Sequence, residues 1–270
     1  MTSQSQSGPE TWVVDLDGVV WLANEPIHGA AEAIRQLRES GRRVAFFTNN
    51  SFALRNDMLK KFAAHGIECA SEDLMSSSQA AAGLMKAGER AMVLGGPGIV
   101  EALEAAGVEV VPTELDPAVP RPDAVVVGLD LTLSMPRLTA ATRAIAAGAR
   151  LIGTNDDATY PTPDGALPGG GSMLAAVQYA TRAQAVVAGK PYPPAAELIR
   201  EKLGPVAVMV GDRPETDGAL AVRLGARYAL VRSGVTPPGV AVDDPKPDLD
   251  AADLAALVAG VLDGAREVRK

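Results

Sequence analysis

The chain has 270 residues, 47% of them apolar and 21% charged, with Lys+Arg 25 against Asp+Glu 33 and a net charge of −8. That length and mix suit one large or two modest globular α/β domains, and the acidic balance disfavours non-specific binding to nucleic acid or anionic membranes. One cysteine, Cys69, and two histidines, His28 and His65, exclude an internal disulfide framework, a multi-cysteine zinc site and a histidine-rich metal centre.

The first ten residues are polar and read as a loose tail without the apolar stretch of a signal peptide, so the expected location is cytoplasmic. No apolar run reaches the length of about 18 residues that a membrane helix needs. Trp12 to Val14 reads as a short buried strand that runs into Asp15-Leu16-Asp17-Gly18. A helix is expected near 30–40, with Ile34 and Leu37 inward and Gly41 as its stop. Val44 to Phe47 is the next strand, and a helix to about His65 follows, striped by Leu54, Met58, Leu59 and Phe62. Further strands are expected at 91–94, 125–127 and 151–153, with helices between them, one at 138–147. A loop rich in Pro and Gly over 160–171 precedes a helix near 172–182. Short apolar runs at 185–187, 206–210 and 228–231 read as strands, and a last helix covers about 250–262. Strand and helix alternating in this way predict a parallel sheet in an α/β layer fold.

Four short segments carry chemistry, each beside an apolar strand, where open parallel sheets bind ligands. In Asp15-Leu16-Asp17-Gly18, carboxylates two apart on an extended chain point the same way, so one can act as nucleophile, the other as acid or base, and both can meet a hard cation. The plain alternative is a strand-end turn with solvated aspartates. Thr48-Asn49-Asn50-Ser51 offers a hydroxyl, amides and free backbone N–H groups at a helix start, which is either an anion cradle or simple capping. Lys190, between Gly189 and Pro191, supplies either a directed point charge for phosphate or a surface lysine. Gly211-Asp212 with Asp217 supplies further oxygen ligands, or a strand–loop–helix connection with a capping aspartate. Four capping accidents in this order, each at a strand's end, are harder to accept than one site.

Taken together, Asp15-x-Asp17-Gly18, Thr48, Lys190 and Gly211-Asp212 with Asp217 resemble the four motifs of the haloacid dehalogenase superfamily of aspartate-nucleophile phosphatases. The strings Phe-Thr-Asn-Asn-Ser (47–51), Gly-Lys-Pro (189–191) and Gly-Asp-Arg-x-x-Thr-Asp (211–217) look like its NagD-like, p-nitrophenylphosphatase-like branch. The resemblance implies a Rossmann-like doubly wound core with an inserted α/β cap. Thr48 and Lys190 are 142 residues apart, and one core βα unit takes roughly 30–40 of them, which leaves about 100 for that cap. The expected division is a core of 1–78 and 184–270 and a cap of 79–183.

By resemblance, Asp15 attacks phosphorus and becomes an aspartyl-phosphate, and Asp17 protonates the leaving oxygen and then activates water. Mg²⁺ is expected on the carboxylate of Asp15, the backbone carbonyl of Asp17 and Asp212, with Asp217 orienting that shell or Lys190. Thr48, Asn49, Asn50 and Lys190 are the expected phosphate-binding set. The expected substrate is a small phosphate ester, with neither nucleic acid nor membrane as partner. Relatives often pair through the cap; the sequence leaves the oligomeric state open, with a homodimer through the cap as the candidate assembly. The alternatives are a same-fold phosphotransferase or dehalogenase, and a phospholigand-binding protein without turnover. Gly95-Gly96-Pro97-Gly98 is not a dinucleotide fingerprint, and Gly170 to Leu174 lacks the closing glycine of a nucleophile elbow. Met135 stands where relatives often carry an aromatic residue, so no relative's specificity is transferred.

Overall fold

A computed structural model describes residues 9–114, 116, 118, 120–162 and 165–267; most of the expected N-terminal tail, residues 1–8, lies outside these. Strand β1 (Thr11–Val14) is buried along its whole length, and a tight hairpin of β2 (Trp21–Leu22) and β3 (Glu25–Pro26) follows. Helix α1 (Ala30–Glu39) buries Ala30, Ala33, Ile34 and Leu37, the 3–4 spacing of one helical face. Next come β4 (Arg43–Thr48), α2 (Arg55–Ala64), β5 (Leu74–Ser76) and α3 (Ser77–Ala82), the last started by a capping box of Ser76 and Gln79. The chain continues through β6 (Arg90–Leu94), α4 (Pro97–Ala105), β7 (Glu109–Val111), β8 (Ala124–Val127), α5 (Met135–Ala146) and β9 (Arg150–Gly153). A hairpin of β10 (Thr159–Thr162) and β11 (Gly165–Pro168), helix α6 (Gly170–Thr181) and β12 (Val186–Val187) follow. The last elements are α7 (Pro193–Leu203), β13 (Val208–Gly211), α8 (Ala219–Leu224), β14 (Arg227–Val231), β15 (Leu249–Ala251) and α9 (Leu254–Glu267).

The chain forms two compact units: residues 1–47, 61–74 and 199–270, and residues 48–60 and 75–198. One sheet has the strand order β15-β14-β13-β1-β4-β5. In it β1 pairs in parallel with β13 and with β4, and β14 pairs in parallel with β13 and with β15. Asp15 and Asp212 therefore leave the carboxyl ends of adjacent strands. The other large sheet, β12-β9-β8-β6-β7, is parallel throughout. Its strands alternate between two cores: Ala91, Val93, Val126 and Ile152 face one cluster, and Met92, Leu94, Val127 and Leu151 face the other. A sheet covered on both faces needs such near-continuous apolar runs. The α/β class expected from the sequence is the class observed, and the second unit contains the span 79–183.

Three expectations need correction. Residues 160–171 are not one loop: β10 and β11 pair antiparallel, and α6 begins at Gly170. The last helix does not begin at Asp250, which lies in β15. Asp253 sets its start, since the Asp253 carboxylate accepts the Ala256 N–H at 2.8 Å as an N-cap does. Helix α5 begins three residues before the expected Leu138, with Pro136 in a first turn where its missing N–H costs nothing. No described helix is long and apolar enough to cross a membrane.

Candidate active site

Within the first unit, three of the expected aspartates meet. Asp15, Asp212 and Asp217 are all buried, and each offers a carboxylate oxygen within 4.8 Å of the others. Asp15 follows β1 and is held in line by its N–H, which donates to the Val210 carbonyl at 2.9 Å. Asp212 follows β13. Asp217 lies in a single π-helical turn, Pro214–Gly218, a local widening frequent at functional sites. There the Asp217 carboxylate accepts the Arg213 N–H at 3.1 Å.

Three buried carboxylates this close repel one another and lose hydration, so the group is unfavourable unless a cation or protons neutralise it. The donors are all hard oxygens without sulfur or imidazole, which suits Mg²⁺ rather than Zn²⁺. The residues therefore fit the divalent cation that the family resemblance implies. The same carboxylates act on Tyr228: burial, and then the charges of Asp217 and Asp212, push its phenol well above the usual tyrosine range.

Two glycines make room for Asp212. Gly18 has φ +87, and a Cβ there would stand 2.4 Å from Asp212 Oδ2. Gly234 comes closer still, at 2.0 Å from the same oxygen. Around them the segment Ser233-Gly234-Val235-Thr236 grips the site. The Ser233 hydroxyl donates to the Gly18 carbonyl at 2.7 Å, the Val235 N–H to Asp212 Oδ2 at 2.6 Å, and the Thr236 hydroxyl to the Asp212 carbonyl at 2.5 Å. The motif analysis missed this segment. The Ser-Gly after strand 228–231 was the available signal, since it marks another strand end on the same sheet.

Gly18→Ala is expected to destabilise the fold by roughly 1–2 kcal/mol through its left-handed backbone. By pushing Asp212 aside it should also weaken divalent-cation binding about tenfold or more. Thermal unfolding and calorimetric Mg²⁺ titration check both; wild-type cation affinity in a folded variant would contradict the close packing of Gly18 on Asp212.

Asp17 is not among the three clustered carboxylates. It is half-buried, and its Oδ1 accepts the Trp21 indole N–H at 3.1 Å.

The remaining expected residues belong to the second unit. Thr48 ends β4, is 2% exposed, and its hydroxyl accepts the Asn50 N–H at 3.0 Å. Asn50 caps its own turn: its Oδ1 accepts the Phe52 N–H at 3.0 Å and the Ala53 N–H at 3.3 Å. Asn49 and Lys190, 141 residues apart, are joined. Asn49 Oδ1 accepts the Lys190 N–H at 2.8 Å, and Asn49 Nδ2 donates to the Lys190 carbonyl at 3.2 Å. The Asn49 side chain thus reads Lys190 as a strand neighbour would, and fixes the backbone from which a lysine only 2% exposed projects. Ser77 Oγ and Asn155 Nδ2 both donate to the Asn49 carbonyl at 2.8 Å. Gly189 permits the approach, since a Cβ there would lie 2.6 Å from Asn49 Oδ1. Beside this group the Tyr192 hydroxyl donates to Asp156, which raises the Tyr192 phenol to about 12. Ser77 and Tyr192 carried no motif that singled them out, whereas Asn155 lies in the segment from Thr154 to Ser172 that resembles a loop of the same branch.

Comparisons with known proteins show the family. The family model described as haloacid dehalogenase-like hydrolase matches residues 12–109, and a second HAD-hydrolase-like model matches residues 187–257. Human chronophin is 36% identical over 238 residues, spanning 82% of this chain and 80% of its own. The solved p-nitrophenyl phosphatase of Archaeoglobus fulgidus superposes with TM-score 0.84 at 27% identity, covering 94% of this chain and all (100%) of that one. A glycerol phosphate phosphatase of Mycobacterium tuberculosis, solved in complex with magnesium, gives TM-score 0.82 at 33% identity over 92% of this chain and 77% of that one. The chain belongs to the haloacid dehalogenase-like hydrolases, in their NagD-like, p-nitrophenylphosphatase-like branch.

Proposed function

We propose that this chain, a phosphatase of the haloacid dehalogenase-like family, is a Mg²⁺-dependent phosphomonoesterase of small phosphorylated metabolites that works through an aspartyl-phosphate on Asp15. The observation that carries this reading is the buried group of Asp15, Asp212 and Asp217. Such a group fits a hard cation, and it contains the expected nucleophile. Asp15, Asp212 and the Asp17 backbone carbonyl are the groups to hold Mg²⁺, with Asp217 alongside. When bound, that ion supplies positive charge that offsets the phosphate's own in a chain of net charge −8.

In the first step the Asp15 carboxylate bonds to phosphorus while the bond to the ester oxygen breaks. Asp17 gives its proton to that oxygen. In the second step Asp17 takes a proton from water, whose oxygen attacks phosphorus and releases phosphate from Asp15. Thr48, the Asn49 backbone N–H and Lys190 are proposed to hold the phosphoryl oxygens, with Asn50 shaping the turn between them. The Asn49 side chain is occupied with Lys190, so its part is to orient the lysine. The span 79–183 is proposed as the cap that selects the leaving group, and a homodimer through it and a cytoplasmic location belong to the same proposal.

Two of the relatives named above are phosphatases by name, which favours hydrolysis over phosphotransfer or simple phospholigand binding. They act on different esters, so the class of small phosphate esters is the level the family supports. Hydrolysis of p-nitrophenyl phosphate with Mg²⁺, followed by a screen of alkyl, sugar and nucleoside phosphates, tests the reading. Turnover of at least one ester is expected. Tight phosphate-ester binding with no release of phosphate would favour the binding-protein alternative.

A further inference from the structure

The carboxylate proposed as acid and base has a partner that no motif named. Trp21 is 3% exposed and opens β2. Its backbone is tied to the Asp17 segment: the Gly18 N–H donates to the Trp21 carbonyl at 2.7 Å, and Asp17 and Trp21 form an isolated β-bridge. Its indole Nε1–H then donates to Asp17 Oδ1 at 3.1 Å. The ring cannot shift easily. Phe62 meets it edge to face with centroids 5.0 Å apart, and Lys61 Nζ stands 4.2 Å from the ring centroid.

Lys61 does more than cover the indole. Its ammonium donates to the carbonyl of Ala23, the residue after β2. Ala23 has φ 50, a left-handed backbone that an L side chain resists, so the turn it opens needs an outside hold. The ammonium is partly desolvated there, which lowers its pKa, while the charge of Asp17 opposes that shift. Lys61 therefore binds together the turn, the indole and, through the indole, Asp17.

We propose that Trp21 is a positioning residue for Asp17, and that Lys61 fixes Trp21 for this task. The chemistry follows from donor counting. An indole N–H can only donate, so it always calls for an accepting carboxyl oxygen. Trp21 therefore engages Oδ1 and holds the Asp17 carboxyl in one orientation. A carboxyl held in one rotamer is what proton delivery to a leaving group requires.

This inference rests on the acid/base role of Asp17, and leaving-group dependence separates the two. A p-nitrophenolate departs without a proton, whereas an alkoxide does not. The quantity to measure is kcat/KM for p-nitrophenyl phosphate and for an alkyl phosphate such as glycerol 3-phosphate, because it reports the step in which the leaving group departs. The variants are Trp21→Phe, Lys61→Met, Asp17→Asn and the double variant Trp21→Phe/Asp17→Asn, with folding checked by circular dichroism. Asp17→Asn is expected to lower the alkyl rate by roughly 10²–10⁴ and the nitrophenyl rate by at least tenfold less. Trp21→Phe should follow the same pattern at about 10–100-fold, and Lys61→Met at a smaller loss of the same kind. In the Asp17→Asn background Trp21→Phe should add almost nothing.

If Asp17→Asn loses both substrates equally, the acid/base reading falls, and this inference with it. If Asp17→Asn discriminates but Trp21→Phe loses both substrates equally, or adds its full loss to Asp17→Asn, Trp21 is structural only and the inference is overturned. Should Trp21→Phe not fold, Lys61→Met, alone and combined with Asp17→Asn, decides on the same two criteria.

Discussion

Asp15→Asn is expected to abolish turnover and to leave the fold intact. An amide does not attack phosphorus, and it is a poor ligand for a hard cation. The backbone bond that sets Asp15 beside β13 is untouched by the change. Without divalent cations the variant should be more heat-stable than the wild type, because it removes one of three mutually repelling buried carboxylates. With Mg²⁺ that order should reverse, since the wild type gains binding energy that the variant lacks. Activity assays and thermal unfolding in EDTA and in Mg²⁺ check the pair. A folded variant with more than a few per cent of wild-type rate would remove Asp15 as nucleophile.

Chelation carries the second large effect. Exhaustive dialysis against EDTA should stop catalysis, and Mg²⁺ should restore it. At a Mg²⁺ concentration about 100-fold above its dissociation constant, the fold should gain about 2.7 kcal/mol. Ca²⁺ should bind and inhibit: it takes more oxygens at longer distance, which draws a second Asp15 oxygen into coordination and away from phosphorus. Asp212→Asn should lose most of the Mg²⁺-dependent stabilisation, because Asp212 is 1% exposed and offers its oxygen to the same group. Full activity of the dialysed enzyme in EDTA would remove the cation from the account.

Much of this arrangement is legible in the chain because its chemistry is local. Asp15, Asp212 and Thr48 each follow a short apolar run, and parallel strands bring such ends together. What the sequence hides lies far apart along it. The hold of Asn49 on Lys190 joins residues 141 positions apart, and neither partner's neighbours announce it. Ser233 to Thr236 look like turn residues until β14 is set beside β13. Trp21 reads as an ordinary core aromatic, since its bond to Asp17 depends on a bend at Gly18 rather than on helical or strand spacing. The hairpin of β10 and β11 is hidden for a different reason. Its Pro161 and Pro168 count against strand from composition, whereas a two-stranded ribbon tolerates residues that do not donate to a partner.

The most direct test of the central claim is to catch the phosphoryl group on the enzyme. Wild type and Asp17→Asn, whose second step should be slowed, are mixed with phosphate ester and Mg²⁺. The reaction is quenched in acid within one turnover, and the peptides are mapped by mass. One phosphoryl group is expected on the peptide that carries Asp15; it should accumulate more in Asp17→Asn, disappear with hydroxylamine, and be absent from Asp15→Asn. Turnover with no phosphorylated peptide at any quench time, or a phosphoryl group on another residue, would contradict the account.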